Sequence, residues 1–256
     1  MQQFFTFYLD ELPEGAGFLV YGPEHILFLA AIAFGVIATC IAYRRTRPEK
    51  QATFRRIVSC ICFALEFGKQ VLLLITLPSY PVSQLTLHLC GLGIFVQMVD
   101  AFVPRWQKTT HEILYSLSLP GAVAALAFPD WTVYPILNFF CLQSFTIHGV
   151  LLCYPLMMLF SRQLRPNWRN LWRPALFLLI IAPPVYLLNK QLGTNFLFIN
   201  GGSPGSPLEI LENLMGNPGY LVGFVGLLLV VWAVFYAPFI LGGALRNKKG
   251  HHKEIM

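Results

Sequence analysis

A cysteine and a histidine stand in two separate apolar stretches, where together they could perform nucleophilic chemistry. Cys90 lies near the start of one stretch, and His148 lies about ten residues into another. In such a pair the imidazole takes the thiol proton, and the sulfur attacks an acyl carbonyl to form a thioester. Counted from the predicted helix ends, Cys90 would lie roughly 8–9 Å deep and His148 roughly 15 Å deep. Contact between them therefore requires a tilted helix, or a helix that starts one turn away from its predicted position.

A second group of polar residues forms one stripe on a predicted helix. Ser59, Cys62, Glu66, Lys69 and Gln70 follow one another at spacings of 3, 4, 3 and 1 residues, which places them on one helical face. Ionisable side chains inside a membrane usually face the bundle interior or a watery cavity. Glu66 and Lys69 are predicted to pair at i, i+3. The pair would either lock helix packing or line an internal polar cavity.

Four further polar residues are candidates for the wall of such a cavity: His25, His88, Gln97 and Ser144. Gln97 shares a helical face with Cys90, and Ser144 shares one with His148. His88 points about 200° away from Cys90, so the two make a poor metal clip, and neither a metal nor another cofactor is predicted. His25 either faces the cavity or caps its helix.

The composition indicates which elements must position these residues. Of 256 residues, 56% are hydrophobic and 12% are charged, whereas a soluble domain carries about a quarter charged residues. A water-soluble enzyme is therefore excluded, and residues 1–256 are predicted to form a single polytopic membrane domain, an all-α bundle of seven transmembrane helices. The predicted spans are about 24–43, 57–77, 85–103, 112–128, 138–160, 174–190 and 219–242.

The positions of the basic residues predict an orientation. Six of the 18 lie between spans 1 and 2, two between spans 3 and 4, four between spans 5 and 6, and four in the tail. By the positive-inside rule these segments are cytoplasmic, so the N-terminus lies outside and the C-terminus inside. The net charge of +6 thus reports topology, and no nucleic-acid partner is predicted. Asp100 and Glu112 flank one basic loop and are expected to pair with Arg105 and Lys108.

The connection of about 191–218 contains one helix signature within a Gly- and Pro-rich stretch. Ser206 is a capping residue, Pro207 suits the first helical position, and Gly216 can end the helix. The helix would either belong to a solvated linker or form part of an external lid.

The order of several short motifs resembles that of a known family. The chain looks like the YwaF-like bacterial integral membrane proteins, which are similar to the animal transmembrane protein 164 group, over about residues 20–242. The residues that carry the resemblance are Gly22-Pro23-Glu24-His25, Glu66, Leu87-His88-Leu89-Cys90, His148, Asn200, Pro204 and Pro218-Gly219-Tyr220.

The resemblance implies an intramembrane lipid acyltransferase or acyl hydrolase. Cys90 would be its nucleophile and His148 its general base. Its partners would be membrane lipids, with phospholipid or lysophospholipid substrates. The resemblance also implies a multi-pass protein of a cell membrane, here a bacterial inner or plasma membrane.

Two other functions stay open at this point. The chain could be a transporter or ligand-binding membrane subunit whose polar pathway is lined by Glu66, Lys69, Gln97 and His148, or a scaffold without chemistry. An opsin-like protein is excluded, because the last span contains no lysine for a retinal Schiff base.

Overall fold

The computed structural model describes residues 4–203 and 205–253, with side chains up to residue 242, and every regular element in these residues is helical. Pro204, one of the residues that carry the family resemblance, lies outside this part. The helices are α1 (Pro23–Arg45), α2 (Pro48–Thr76), α3 (Leu89–Phe102), α4 (Gln107–Ile113), α5 (Leu119–Ala127), α6 (Phe139–Phe160), α7 (Trp172–Leu192), α8 (Pro207–Met215) and α9 (Tyr220–Lys253). A π-helical turn, Leu114–Ser118, joins α4 to α5.

Six segments within the described residues are long and apolar enough to cross a membrane, which confirms the prediction of an all-α membrane protein. They are Pro23–Arg45, Pro48–Thr76, Pro104–Val133, Phe139–Phe160, Trp168–Leu192 and Tyr220–Gly242. The third predicted span corresponds to α3, which is apolar but has only 14 residues. A helix of that length measures about 21 Å, less than the hydrocarbon core of about 30 Å.

Three predicted spans begin four or more residues away from the positions expected. Span 4 was expected at 112–128, but the corresponding segment is Pro104–Val133. Span 3 was expected at 85–103, but α3 starts at Leu89, because residues 77–88 form an irregular connection tied to α2 through the Gln84 carbonyl. Span 2 was expected at 57–77, but α2 starts at Pro48. Proline suits the first helical turn, where its missing N–H leaves no hydrogen bond unmade. The helix therefore begins at Pro48, within the basic segment that precedes its apolar part.

The helix α6 lies at the centre of the bundle. It packs against α1, α2, α3 and α5. Apolar side chains predominate on all its sides, as expected of a helix buried on several sides, and Gln143, Ser144 and His148 are exceptions. Phe34 of α1, Leu179 of α7 and Val222 of α9 are instead largely exposed. Exposed apolar side chains on three separate helices form the surface that would meet lipid.

The bundle has two ends. The arginine-rich end comprises residues 46–56, 103–109 and 161–173, and the opposite end comprises residues 4–22, 77–88, 128–138 and 193–219. Hydrogen bonds hold each end together. Arg55 of α2 donates to Gln163 after α6 at 2.7 Å at the arginine-rich end, and Phe18 donates to the Thr132 carbonyl at 2.9 Å at the opposite end.

Two carboxylates near the arginine-rich end are buried, contrary to expectation. Asp100 accepts hydrogen bonds from Thr110 at 2.6 Å and Tyr154 at 2.9 Å, and its Oδ1 lies 3.3 Å from Nε2 of His111. Glu112 accepts a hydrogen bond from Tyr236 at 2.8 Å. The expected partners, Arg105 and Lys108, form no ion pair among the described residues. Both carboxylates point into the bundle, where tyrosines from other helices reach them.

Candidate functional site

The contact between α3 and α6 brings Cys90 and His148 to the same level of the bundle. Both helices begin at the opposite end and run toward the arginine-rich end. Where they touch, a Cβ atom at Gly93 would lie 3.6 Å from Cδ2 of Leu151. Cys90 precedes Gly93 by three residues, and His148 precedes Leu151 by three. Because the helices run in the same direction, each residue lies one turn from this contact on the same side of it. The sequence predicted different depths for Cys90 and His148 because it counted each residue from the start of its own helix. The start of α6 lies further from the contact with α3 than the start of α3 does.

The side chain of His148 is held in one orientation. Its Nδ1 donates to the carbonyl of Ser144 at 2.7 Å, and its ring stacks on Trp131 with 4.7 Å between ring centroids. The proton on Nδ1 leaves Nε2 with its lone pair, and no described residue hydrogen-bonds to Nε2. A half-buried imidazole in this tautomer can accept a proton. Ser144 contributes its carbonyl to this arrangement.

Cys90 lies in the first turn of α3 and is half-buried. It packs against a cluster that includes Cys62 of α2 and Ile147 and Leu151 of α6. Ile147 and Leu151 lie on either side of His148 in α6. Cys90 therefore packs with a cluster to which both α2 and α6 contribute.

Glu66 is the centre of a buried hydrogen-bonded group, the Glu66 cluster. Its Oε1 accepts from Gln70 at 2.6 Å and from Thr86 at 3.3 Å, and it lies 3.1 Å from the ammonium of Lys69. Its Oε2 accepts from Gln143 of α6 at 3.1 Å. The predicted pairing of Glu66 with Lys69 is present. Gln143 was not among the predicted residues. Its amide inside the apolar stretch 139–160 could have indicated a buried polar contact.

The connection between α2 and α3 is fastened to the same cluster. Gln70 donates to the Gln84 carbonyl at 2.9 Å and accepts a hydrogen bond from Tyr80. Burial, and to a lesser degree the charge of Glu66, raises the pKa of the Tyr80 phenol. The phenol therefore stays protonated and can keep donating to Gln70. The Glu66 cluster thus joins two helices and the loop that leads to Cys90.

His25 and His88 occupy different surroundings. His25 is fully buried; its Nδ1 accepts from the Tyr21 N–H at 2.9 Å, and its Nε2 donates to the Leu126 carbonyl at 2.9 Å. With both nitrogens bonded to backbone, His25 ties α1 to α5. His88 precedes the first residue of α3, and its ring contacts those of Phe196 and Phe198 at 5.1 and 5.3 Å.

The segment 194–202, here called the Phe196 loop, lies over the start of α3. Phe196 and Leu197 are buried against Leu89 and neighbouring leucines. The loop is fastened by Asn189 of α7, whose side chain bonds both the N–H and the carbonyl of Phe196, at 2.9 and 3.0 Å. Leu197 adopts φ 60°, a left-handed conformation that is strained for leucine and is retained only when surrounding contacts enforce it.

The predicted helix in the same connection is present as α8. Ser206 accepts a hydrogen bond from the Leu208 N–H at 3.2 Å, Pro207 is the first helical residue, and Gly216 ends the helix with φ 68°. The helix packs against the start of α9, where a Cβ at Gly223 would lie 2.8 Å from Sδ of Met215.

Gln97 is the predicted site residue with the most unusual surroundings. It is fully buried in the middle of α3, and neither its Nε2 nor its Oε1 has a hydrogen-bond partner among the described residues. It follows Gly93 by four residues, so it faces the same side of α3 as the contact with α6.

Several apolar helices that enclose buried polar side chains define a multi-pass membrane protein. A model of the TMEM164 family matches residues 20–236, and the chain therefore belongs to that family. The resemblance to the transmembrane protein 164 group is confirmed; the YwaF-like label is not. Comparisons with curated proteins and with solved structures gave no significant match.

Proposed function

We propose that this protein is an intramembrane lipid acyltransferase or acyl hydrolase, with Cys90 as nucleophile and His148 as general base. The observation that supports the proposal is the close approach of α3 to α6 at Gly93 and Leu151, from which we infer that the turns of Cys90 and His148 lie at one level. The tautomer of His148 adds to it, because a bond from Nδ1 to the Ser144 carbonyl leaves Nε2 as the acceptor.

The reaction would proceed in two steps. In the first, His148 Nε2 takes the thiol proton while Cys90 Sγ attacks the carbonyl carbon of a lipid ester. The carbon–oxygen ester bond breaks, the released alkoxide receives the proton from His148, and the acyl group remains on sulfur as a thioester. In the second, His148 takes a proton from an acceptor hydroxyl or from water. The new oxygen attacks the thioester carbon, and the Cys90 thiolate leaves and recovers the proton.

We infer that the substrates are membrane lipids, with a phospholipid as acyl donor and a lysophospholipid as acceptor. The outer faces of α1, α7 and α9 are apolar, so lipid can approach the bundle from the side. The family resemblance supports the same substrate class.

We further propose seven membrane helices, with α3 as a short third one, in a cell membrane. The N-terminus would lie outside and the arginine-rich end in the cytoplasm, as the distribution of basic residues favours. The test is to place single cysteines at Gly15 and Arg165 in a Cys60→Ser background and to treat intact cells with a membrane-impermeant thiol reagent. Labelling at position 15 alone is expected, and labelling at position 165 alone would reverse the topology.

The catalytic proposal is tested with an alkyl chloroacetamide, a lipid-like thiol reagent, on the purified full chain. Cys60 is exposed on α2 whereas Cys90 is half-buried, so exposure alone predicts faster labelling of Cys60. Activation by His148 predicts faster labelling of Cys90 and at least a tenfold loss of that rate in His148→Ala, within the range of general-base effects. Labelling of Cys90 no faster than that of buried Cys141, together with lipid profiles that are unchanged in Cys90→Ala, would refute the proposal.

A transport function is the second candidate, favoured by the Glu66–Lys69 ion pair inside the bundle at 3.1 Å. In reconstituted vesicles it predicts a proton flux that Glu66→Gln abolishes and Cys90→Ser leaves intact. The acyltransferase proposal predicts the reverse dependence, measured as thioester formation.

A further inference from the structure

Gln97 differs from the buried carboxylates of the bundle. Glu66, Asp100 and Glu112 all accept hydrogen bonds from side chains of other helices. Gln97 is as deeply buried, yet both polar atoms of its amide are without a partner among the described residues. Buried polar groups are nearly always paired, and an unpaired one calls for a specific explanation.

The surroundings of Gln97 contain a second irregular feature. The π-helical turn Leu114–Ser118 packs against α3 and is buried throughout. Gly93, one turn before Gln97, lets this turn come close, because a Cβ at Gly93 would lie only 2.8 Å from Oγ of Ser118. Single π-helical turns inside α-helices often occur at functional sites. The unpaired amide and the π-helical turn therefore lie side by side on the face of α3 that carries Cys90.

We infer that Gln97 binds a hydroxyl group on the acyl chain of the lipid substrate. A carboxamide offers both N–H donors and a carbonyl acceptor, and a hydroxyl is a small neutral group that can use both kinds. Cys90 and Gln97 are seven residues apart on one helical face, which places them about 10 Å apart along the axis. The preferred substrate class is thus an acyl chain that carries a hydroxyl about 10 Å from its reacting carbonyl.

This inference rests on the proposed function for the position of the reacting carbon. A water molecule at this amide would offer the same hydrogen-bonding groups but would give no preference among acyl chains. A preference for hydroxylated chains that depends on Gln97 therefore separates a ligand site from a hydrated gap.

The test compares two alkyl chloroacetamides of equal length, one plain and one with a hydroxyl about 10 Å from the reactive carbon. Labelling of Cys90 in the purified full chain is measured by mass spectrometry. The hydroxylated reagent is expected to react about tenfold faster at low concentration, as one or two additional hydrogen bonds would give. In Gln97→Leu the two rates should become equal. Ser59→Ala removes a buried hydroxyl on α2 that bonds Met98, and should leave the preference intact.

A second measurement keeps the inference separate from the catalytic proposal. In Cys90→Ala, a hydroxylated fatty acid methyl ester should raise the melting temperature more than the plain ester does, and Gln97→Leu in the same background should remove the difference. Equal shifts with both esters, or equal labelling by both reagents in the unaltered chain, would overturn the role of Gln97. If the two esters shift the melting temperature unequally but neither reagent labels Cys90 faster than the buried Cys141, the hydroxyl-binding role of Gln97 would be supported. The catalytic role of the thiol would then be refuted.

Discussion

Replacing Gly93 by alanine tests the contact that aligns Cys90 with His148. The new Cβ would lie 2.8 Å from Oγ of Ser118 and 3.6 Å from Cδ2 of Leu151, and the first distance is well below the optimum of about 3.5–4.0 Å for carbon contacts. Overpacking a dense core costs about 1–3 kcal/mol, whereas alanine in place of glycine within a helix contributes about 0.5–1 kcal/mol of stability. The expected net effect is a loss of up to about 2 kcal/mol.

The structure supplies a matched control and a rescue for this substitution. Gly68 lies inside α2, and a Cβ there would meet nothing within 4 Å, so Gly68→Ala should stabilise the chain by about 0.5–1 kcal/mol. Ser118→Ala removes the Oγ atom and leaves the Cβ of residue 118 at 3.4 Å. The double variant Gly93→Ala/Ser118→Ala should therefore recover most of the lost stability.

The assay is thermal unfolding of the purified chain in detergent, followed by tryptophan fluorescence. For a chain of this size 1 kcal/mol corresponds to roughly 2–4 °C, so the Gly93→Ala and Gly68→Ala variants should differ by several degrees. Labelling of Cys90 should slow in Gly93→Ala and recover in the double variant. A Gly93→Ala protein as stable as Gly68→Ala, or no recovery on adding Ser118→Ala, would show that α3 does not pack as described.

Three further substitutions test other parts of the structure, the first two by the same melting assay and the third by proteolysis. Glu66→Ala leaves the Lys69 ammonium without a partner and should cost about 3–5 kcal/mol; Glu66→Ala/Lys69→Ala should recover part of this, and equal losses in both variants would contradict the pairing. Ser206→Ala removes the hydrogen bond to the Leu208 N–H and should cost about 1 kcal/mol, so an unchanged melting temperature would argue against the cap. Asn189→Leu should release the Phe196 loop and increase its proteolysis, whereas unaltered cleavage would mean that other contacts hold the loop.

The long helices α1, α2, α6, α7 and α9 were predictable from the sequence because each carries a long apolar run. The cap of α8 was predictable as well, since Ser206, Pro207 and Gly216 act through local backbone geometry. The start of α3 was not, because hydropathy continues through Leu85 and Leu87, while the backbone there follows a long-range bond to Gln70.

Of the candidate site, the sequence predicted one local pair. Helical spacing placed Glu66 beside Lys69, an interaction between residues of one turn. Spacing carries no information about which helices touch, so the level of His148 relative to Cys90, and the bond from Gln143 to Glu66, could not be obtained. The same limit explains Asp100, whose neighbours in sequence are basic but whose partner Tyr154 comes from a different helix.

The fastening of the Phe196 loop has a kinetic consequence for any reaction at Cys90. Phe196 and Leu197 are buried over the first turn of α3, and the loop is held by Asn189. Under the proposed function, we therefore expect this loop to obstruct the aqueous route to the thiol, and we expect substrate to exchange within the membrane plane. Turnover would then depend on the mole fraction of lipid substrate in the bilayer, and dilution of the vesicles in buffer at constant lipid composition would leave the rate per protein unchanged.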